Sequence, residues 1–106
     1  MSAEAIANSI RGEATILIGG RPRLLRPTFT ALVAAEDELG ALYALVERAG
    51  EGKLRLGEVA TLFWHCLADR ADTSREQVGE AVLTMGLAAC AAPLRALLYQ
   101  ILQGRA

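Results

Sequence analysis

The stretch from residue 12 to residue 29 reads GEATILIGGRPRLLRPTF, and a change of period inside it decides the fold. From Glu13 to Ile18 the side chains alternate: Ala14, Ile16 and Ile18 fall on one side of an extended chain, Thr15 and Leu17 on the other. Gly19-Gly20 comes next, two residues able to take the positive φ angles of a tight hairpin turn. Arg21 to Arg26 returns as a second strand; Pro22 has no amide hydrogen to give a ladder, which places this strand at an edge. At Pro27-Thr28 the period changes. The Thr28 hydroxyl can cap the free amides of a new helix, and Phe29, Leu32, Val33 and Leu39 fall on one stripe running down to Gly40.

A lone hairpin is marginal in water, so this one must pack on the rest of the chain. Residues 41–103 read as helices. A short one, about Ala41 to Ala49, presents Leu42, Leu45 and Val46 on one face and ends at Gly50 and Gly52. A third, about Gly57 to Arg70, gathers Val59, Leu62, Phe63, Cys66 and Leu67 into one arc, with Trp64 at its edge and His65 and Asp69 pointing away. Thr73 and Glu76 have the spacing of a capping box, opening a helix to about Met85 with Val78, Ala81, Val82 and Met85 inward and Gly86 closing it. Pro93 is tolerated in a first turn, so the last helix is expected to start near Ala91 and run to about Gln103. On it Leu94, Leu97, Leu98, Ile101 and Leu102 span an arc of about 140°, with Tyr99 on the flank. The expected fold is mainly α: residues 13–26 a β-hairpin, packed on a compact bundle of about five short helices within residues 28–103. Residues 1–12 read as a flexible leader before a single domain, 13–106.

Composition agrees with this class. Of 106 residues, 53% are apolar but only 5% aromatic, so the core must be built from Leu, Val, Ile and Ala, which suits helices. The net charge of −1 argues against nucleic acid as a partner, because such binding depends on neutralising phosphates. Residues 1–27 carry four arginines against Glu4 and Glu13, and the excess of acid lies downstream. The most apolar run, Met85 to Leu94, is about half the length of a membrane span. No apolar signal segment opens the chain, which fits a cytoplasmic protein.

Catalytic constellations are not apparent. Cys66 and Cys90 lack a CxxC spacing, and His65 diverges from Cys66 by about 100° around the helix, so neither a metal site nor a Cys–His dyad is expected. Glu36-Asp37-Glu38 fans out around its helix as a solvated face rather than converging on a substrate. Gly19-Gly20-Arg21 precedes a strand, not a helix N-terminus, and is a turn rather than a phosphate loop. Arg21, Arg23 and Arg26 read as a solvated strand face. No cofactor is implied. What remains is apolar surface: Trp64 and the stripe Leu94, Leu97, Leu98, Ile101 and Leu102, with Tyr99 beside it, are the candidate protein-binding residues.

The order of these pieces also carries a resemblance. The hairpin from Gly12 to Arg21, the junction Leu25-Arg26-Pro27-Thr28-Phe29, and an acidic helix with Glu36, Leu39 and Gly40 come first. Leu62-Phe63-Trp64-His65-Cys66-Leu67 and a helix closing on Met85-Gly86-Leu87 come after them. Over roughly residues 11–102 the chain resembles the gene-transfer-agent family of small tail proteins, grouped with phage tail assembly chaperones. The resemblance implies a non-enzymatic protein whose partner is the tape-measure protein or another tail protein during tail morphogenesis; the alternative it allows is a structural adaptor built into the particle. It assigns no binding residues. The second strand's exposed edge and the surplus apolar stripe lead us to expect weak self-association.

Overall fold

The computed structural model describes residues 13–104, so the expected leader at residues 1–12 lies outside the described residues. The chain forms two antiparallel strands, β1 (Ala14–Ile18) and β2 (Arg21–Leu25). Five helices come after them: α1 (Phe29–Leu39), α2 (Leu42–Gly50), α3 (Leu56–Cys66), α4 (Arg75–Met85) and α5 (Leu87–Gln103). Gly19 and Gly20 turn the hairpin with φ of 59° and 79°, the pair of positive angles that a type I′ turn requires. Leu17 faces Pro22 across the ladder, one step out from the closing pair Ile18–Arg21. In an antiparallel ladder that is a non-hydrogen-bonded pair, so the missing proline amide costs no bond.

Ala14, Ile16 and Ile18 share one side of β1 as expected, and that side is the buried one; Leu25 of β2 is buried with them, and β1 packs against α4 and α5. The core continues through Val59, Leu62, Phe63, Cys66 and Leu67 of the α3 region and Val78, Ala81 and Val82 of α4, all buried, with Met85 packed at its margin.

Four expectations are corrected. The third helix does not run to Arg70. It stops at Cys66, and Leu67 turns extended (φ −56°, ψ 127°) so that the chain joins the hairpin as a third backbone segment. The Arg26 amide donates to the Cys66 carbonyl at 2.6 Å and the Ala68 amide to the Leu24 carbonyl at 3.0 Å, flanking a Leu25–Leu67 bridge. The far end of β2, expected to be a bare edge, is therefore partly covered.

The capping box lies one residue later than expected. The Thr73 hydroxyl is occupied by Arg23 Nη1 at 2.8 Å, leaving Ser74 to accept from the Gln77 amide (3.1 Å) while the Gln77 side chain accepts from the Ser74 amide (2.8 Å). The last helix begins at Leu87 rather than Ala91, so Pro93 sits inside it. The carbonyl that loses its amide partner is that of Ala89, an exposed residue, where water can replace the bond. Gly86, at φ 84°, closes α4 and opens α5, and the two helices bend by 118°.

Finally, α1 is rotated from the expected stripe. Phe29 is 83% exposed and Val33 also faces outward, while Ala35 is fully buried and Ala31, Leu32 and Leu39 pack at its sides. The small side chains let α1 come close to α3. Thr28 caps α1 as expected, accepting from the Ala31 amide at 3.1 Å. Among the described residues no single helix is long and apolar enough to cross a membrane.

Candidate functional site

Two regions concentrate unusual side chains, and they lie on different helices. The first joins α1, α3 and α4. Helical spacing puts His65 on a polar outer face, yet it is 6% exposed, because α1 packs over that side of α3 and brings Glu38 with it. His65 Nε2 lies 2.8 Å from Glu38 Oε1. An ionised carboxylate only accepts, so Nε2 carries the proton; His65 Nδ1 is buried and has no partner among the described residues. Arg75 grips the same carboxylate with both terminal nitrogens. These contacts, Arg75 first and His65 second, hold the Glu38 carboxyl down at about 2, well below its ordinary range.

Trp64 belongs to this cluster. The guanidinium carbons of Arg75 and Arg70 lie 4.4 and 4.6 Å from its ring centroid. Its Nε1–H donates to the Thr73 carbonyl at 3.2 Å, and His65 meets it edge-on at 4.9 Å. The strand arginines are also drawn in. Arg23 bonds Thr73 and the Asp69 carbonyl, and Arg26 pairs with buried Glu13 at 2.9 Å, so among the described residues only Arg21 of the expected solvated ladder has no such bond. The cluster is a charged lock with its hydrogen-bonding capacity mostly spent internally.

The second region lies between α2 and α5. Val46, Ala49 and Gly50 form one wall, and Ala91, Leu94, Leu98, Tyr99 and Leu102 the other, of an open groove of about 450 Å³. Among the described residues the only charged one lining it is Arg95. The α2 wall is set by an ion pair to α3, Arg48 to Glu58 at 2.7 Å, which also holds the Glu58 carboxyl below its usual value. On the α5 wall Tyr99 is 67% exposed and Leu102 50%.

The structure thus separates the seven candidate residues. Leu94, Leu98, Tyr99 and Leu102 come together in the groove. Leu97 is fully buried in the core, Ile101 packs partly on the core without lining the groove, and Trp64 sits in the lock. Sequence reasoning missed the facing wall. Its signal was present, because Val46, Ala49 and Gly50 recur at helical spacing on α2, but nothing local says that α2 lies beside α5. Two other clefts among the described residues are mixed in character. One, about 750 Å³ between the hairpin turn and α4, carries Arg21 and Arg23 opposite Glu76 and Glu80; another, about 390 Å³, is lined by His65, Arg26, Asp69 and Arg70.

Cys90 lines none of these three clefts, and the two cysteines are buried thiols. Burial pushes Cys66 up to about 12 and raises Cys90 as well, which withholds the reactive thiolate. Among the described residues no three of His, Cys, Asp and Glu gather as a metal site.

The family model described as phage tail tube protein, GTA-gp10, matches residues 11–104. The chain belongs to that family. No curated protein and no solved structure gives a significant match.

Proposed function

We propose that this tail protein is a non-enzymatic assembly chaperone that holds an apolar helical stripe of the tape-measure protein in the groove between α2 and α5, in the cytoplasm, before the tail is complete. The observation that carries the reading is the groove itself. It is walled by aliphatic side chains, open to solvent, and leaves Tyr99 and Leu102 half or more exposed beside buried neighbours. A long helical tape-measure chain exposes stripes of apolar side chains until tube subunits surround it, and an amphipathic helix laid in an apolar groove removes such a stripe from water. Among the described residues the two thiols are buried and the carboxylates of Glu13, Glu38 and Glu58 are taken up by arginines, which supports binding rather than catalysis.

Co-expression with the tape-measure protein of the same gene cluster tests this. The chain is expected to keep that protein soluble and to co-purify with it, and Tyr99→Asp with Leu102→Asp to abolish both while the circular dichroism spectrum and melting temperature stay close to wild type. A partner that stays insoluble, or a double variant that still co-purifies, overturns the reading.

A second reading has its own support. The matching family is described as a tail tube protein, which favours a structural component or adaptor retained in the gene transfer agent particle. Mass spectrometry of purified particles separates the two: a chaperone is absent from them, an adaptor is present in fixed ratio to the other tail proteins.

A further inference from the structure

Resting on the groove as the binding surface, we infer that its occupant is a short amphipathic helix of about three turns that carries a carboxylate to meet Arg95. Length comes first. The α5 residues lining the groove run from Ala91 to Leu102, which at 1.5 Å per residue is a track of about 16 Å, or three turns of a partner helix. Shape comes second. Ala49, Gly50 and Ala91 in the lining are small and leave room for a large aliphatic or aromatic anchor from the partner. On α5, Leu94, Leu98 and Leu102 recur at four-residue spacing, a row that fits the grooves between side chains of a second helix.

Charge comes third, and it gives the occupant its chemistry. Arg95 is exposed and lines the groove, yet among the described residues it has no ion pair, hydrogen bond or aromatic partner. Among the described residues no acidic one lines the groove with it. By contrast, Arg48 at the α2 wall is engaged with Glu58, and Arg75, in the other cluster, with Glu38. A lone guanidinium beside apolar walls favours Asp or Glu on the incoming helix and disfavours Lys or Arg there. A second copy of this chain is a poorer occupant. Two-fold pairing of this groove on itself would set the Arg95 side of one wall against another surface carrying the same cation, with no lining carboxylate to offset it.

The test uses the full chain and overlapping 15-residue peptides tiling the tape-measure protein and the other tail proteins of the gene cluster, with binding read by fluorescence anisotropy. Peptides that bind are expected to carry two or three large apolar residues at helical spacing and an acidic residue beside them. Arg95→Glu should weaken them by about five- to tenfold at low salt. Changing the peptide's acidic residue to lysine should restore binding to the Arg95→Glu chain. Binding that Leu102→Asp removes but Arg95→Glu leaves unchanged overturns the charged-helix inference while keeping the groove. Binding that survives Leu102→Asp overturns the groove as well. If no peptide binds although the full tape-measure protein co-purifies, the short-helix occupant is wrong and the chaperone reading stands. Concentration-dependent dimerisation in sedimentation, abolished by Leu102→Asp, would assign the groove to a second copy instead.

Discussion

The lock at α1, α3 and α4 and the groove at α2 and α5 spend their side chains in opposite ways. In the lock, one carboxylate takes an arginine and a histidine, one indole takes two guanidinium groups, and Arg23 of β2 reaches across to the loop before α4. Apart from His65 Nδ1, the contacts close on themselves. In the groove the reverse holds: half-exposed Leu102, exposed Tyr99 and unpaired Arg95 are left facing solvent among the described residues. The lesson is that a rare residue is a poor guide to which surface stays open. Trp64 and His65, the most conspicuous side chains in the sequence, are engaged in holding the fold, while ordinary leucines and alanines shape the open face.

The comparison breaks most severely at Leu97. This residue and Leu102 are five positions apart on one helix, yet Leu97 is fully buried and Leu102 half exposed. Leu97→Ala is expected to lower unfolding stability by about 2–5 kcal/mol, whereas Leu102→Ala should change it by no more than about 0.5 kcal/mol. Equilibrium urea unfolding checks both; equal effects would mean that the groove wall is core.

Acid sharpens the contrast next. Glu38 sits at about 2 in the folded chain against an ordinary value of 4.5, so it binds a proton less readily folded than unfolded. Its contribution to stability is therefore present above 4.5 and is lost as pH falls from there toward 2. Glu38→Gln should be less stable than wild type at neutral pH, and the gap should narrow as the solution is acidified through that window. Urea midpoints measured along a pH series give the answer; a gap that is constant with pH would remove the lock from the acid response. Partner binding at the groove should be unaffected by this substitution at neutral pH.

The smallest expected effect concerns the start of α4, which carries Arg75 into the lock. Ser74→Ala should cost about 1 kcal/mol through the lost cap. Thr73→Ala leaves the cap in place and instead frees Arg23, so solvent exchange of the Gln77 amide should rise in Ser74→Ala alone. Faster exchange in Thr73→Ala and not in Ser74→Ala would restore the cap to the position that local spacing favours.

What was legible in the sequence was whatever depends on near neighbours. Alternation at Ala14–Ile18, the Gly19-Gly20 turn and the Thr28 cap are settled by backbone sterics and by groups within a few residues, and each formed as expected. The inward arcs of α3 and α4 come from helical periodicity in the same way. The errors occur where a distant group takes over. Leu67 leaves the helix because β2 offers it a backbone ladder, Thr73 loses its capping role because Arg23 claims its hydroxyl, and His65 is buried because α1 covers it.

The groove belongs to the same class. Its leucines were readable as a stripe, but a stripe does not say which members face the core. On α5 the division between Leu97 inside and Tyr99 and Leu102 outside is decided by where the hairpin and α2 sit against that helix. The sequence by itself determined the elements and most of their apolar faces, because local sterics and hydrophobic periodicity act over a few residues. Only the tertiary structure decided which faces were used up and which stayed open, because burial is a property of the packed neighbours and not of the segment that is buried.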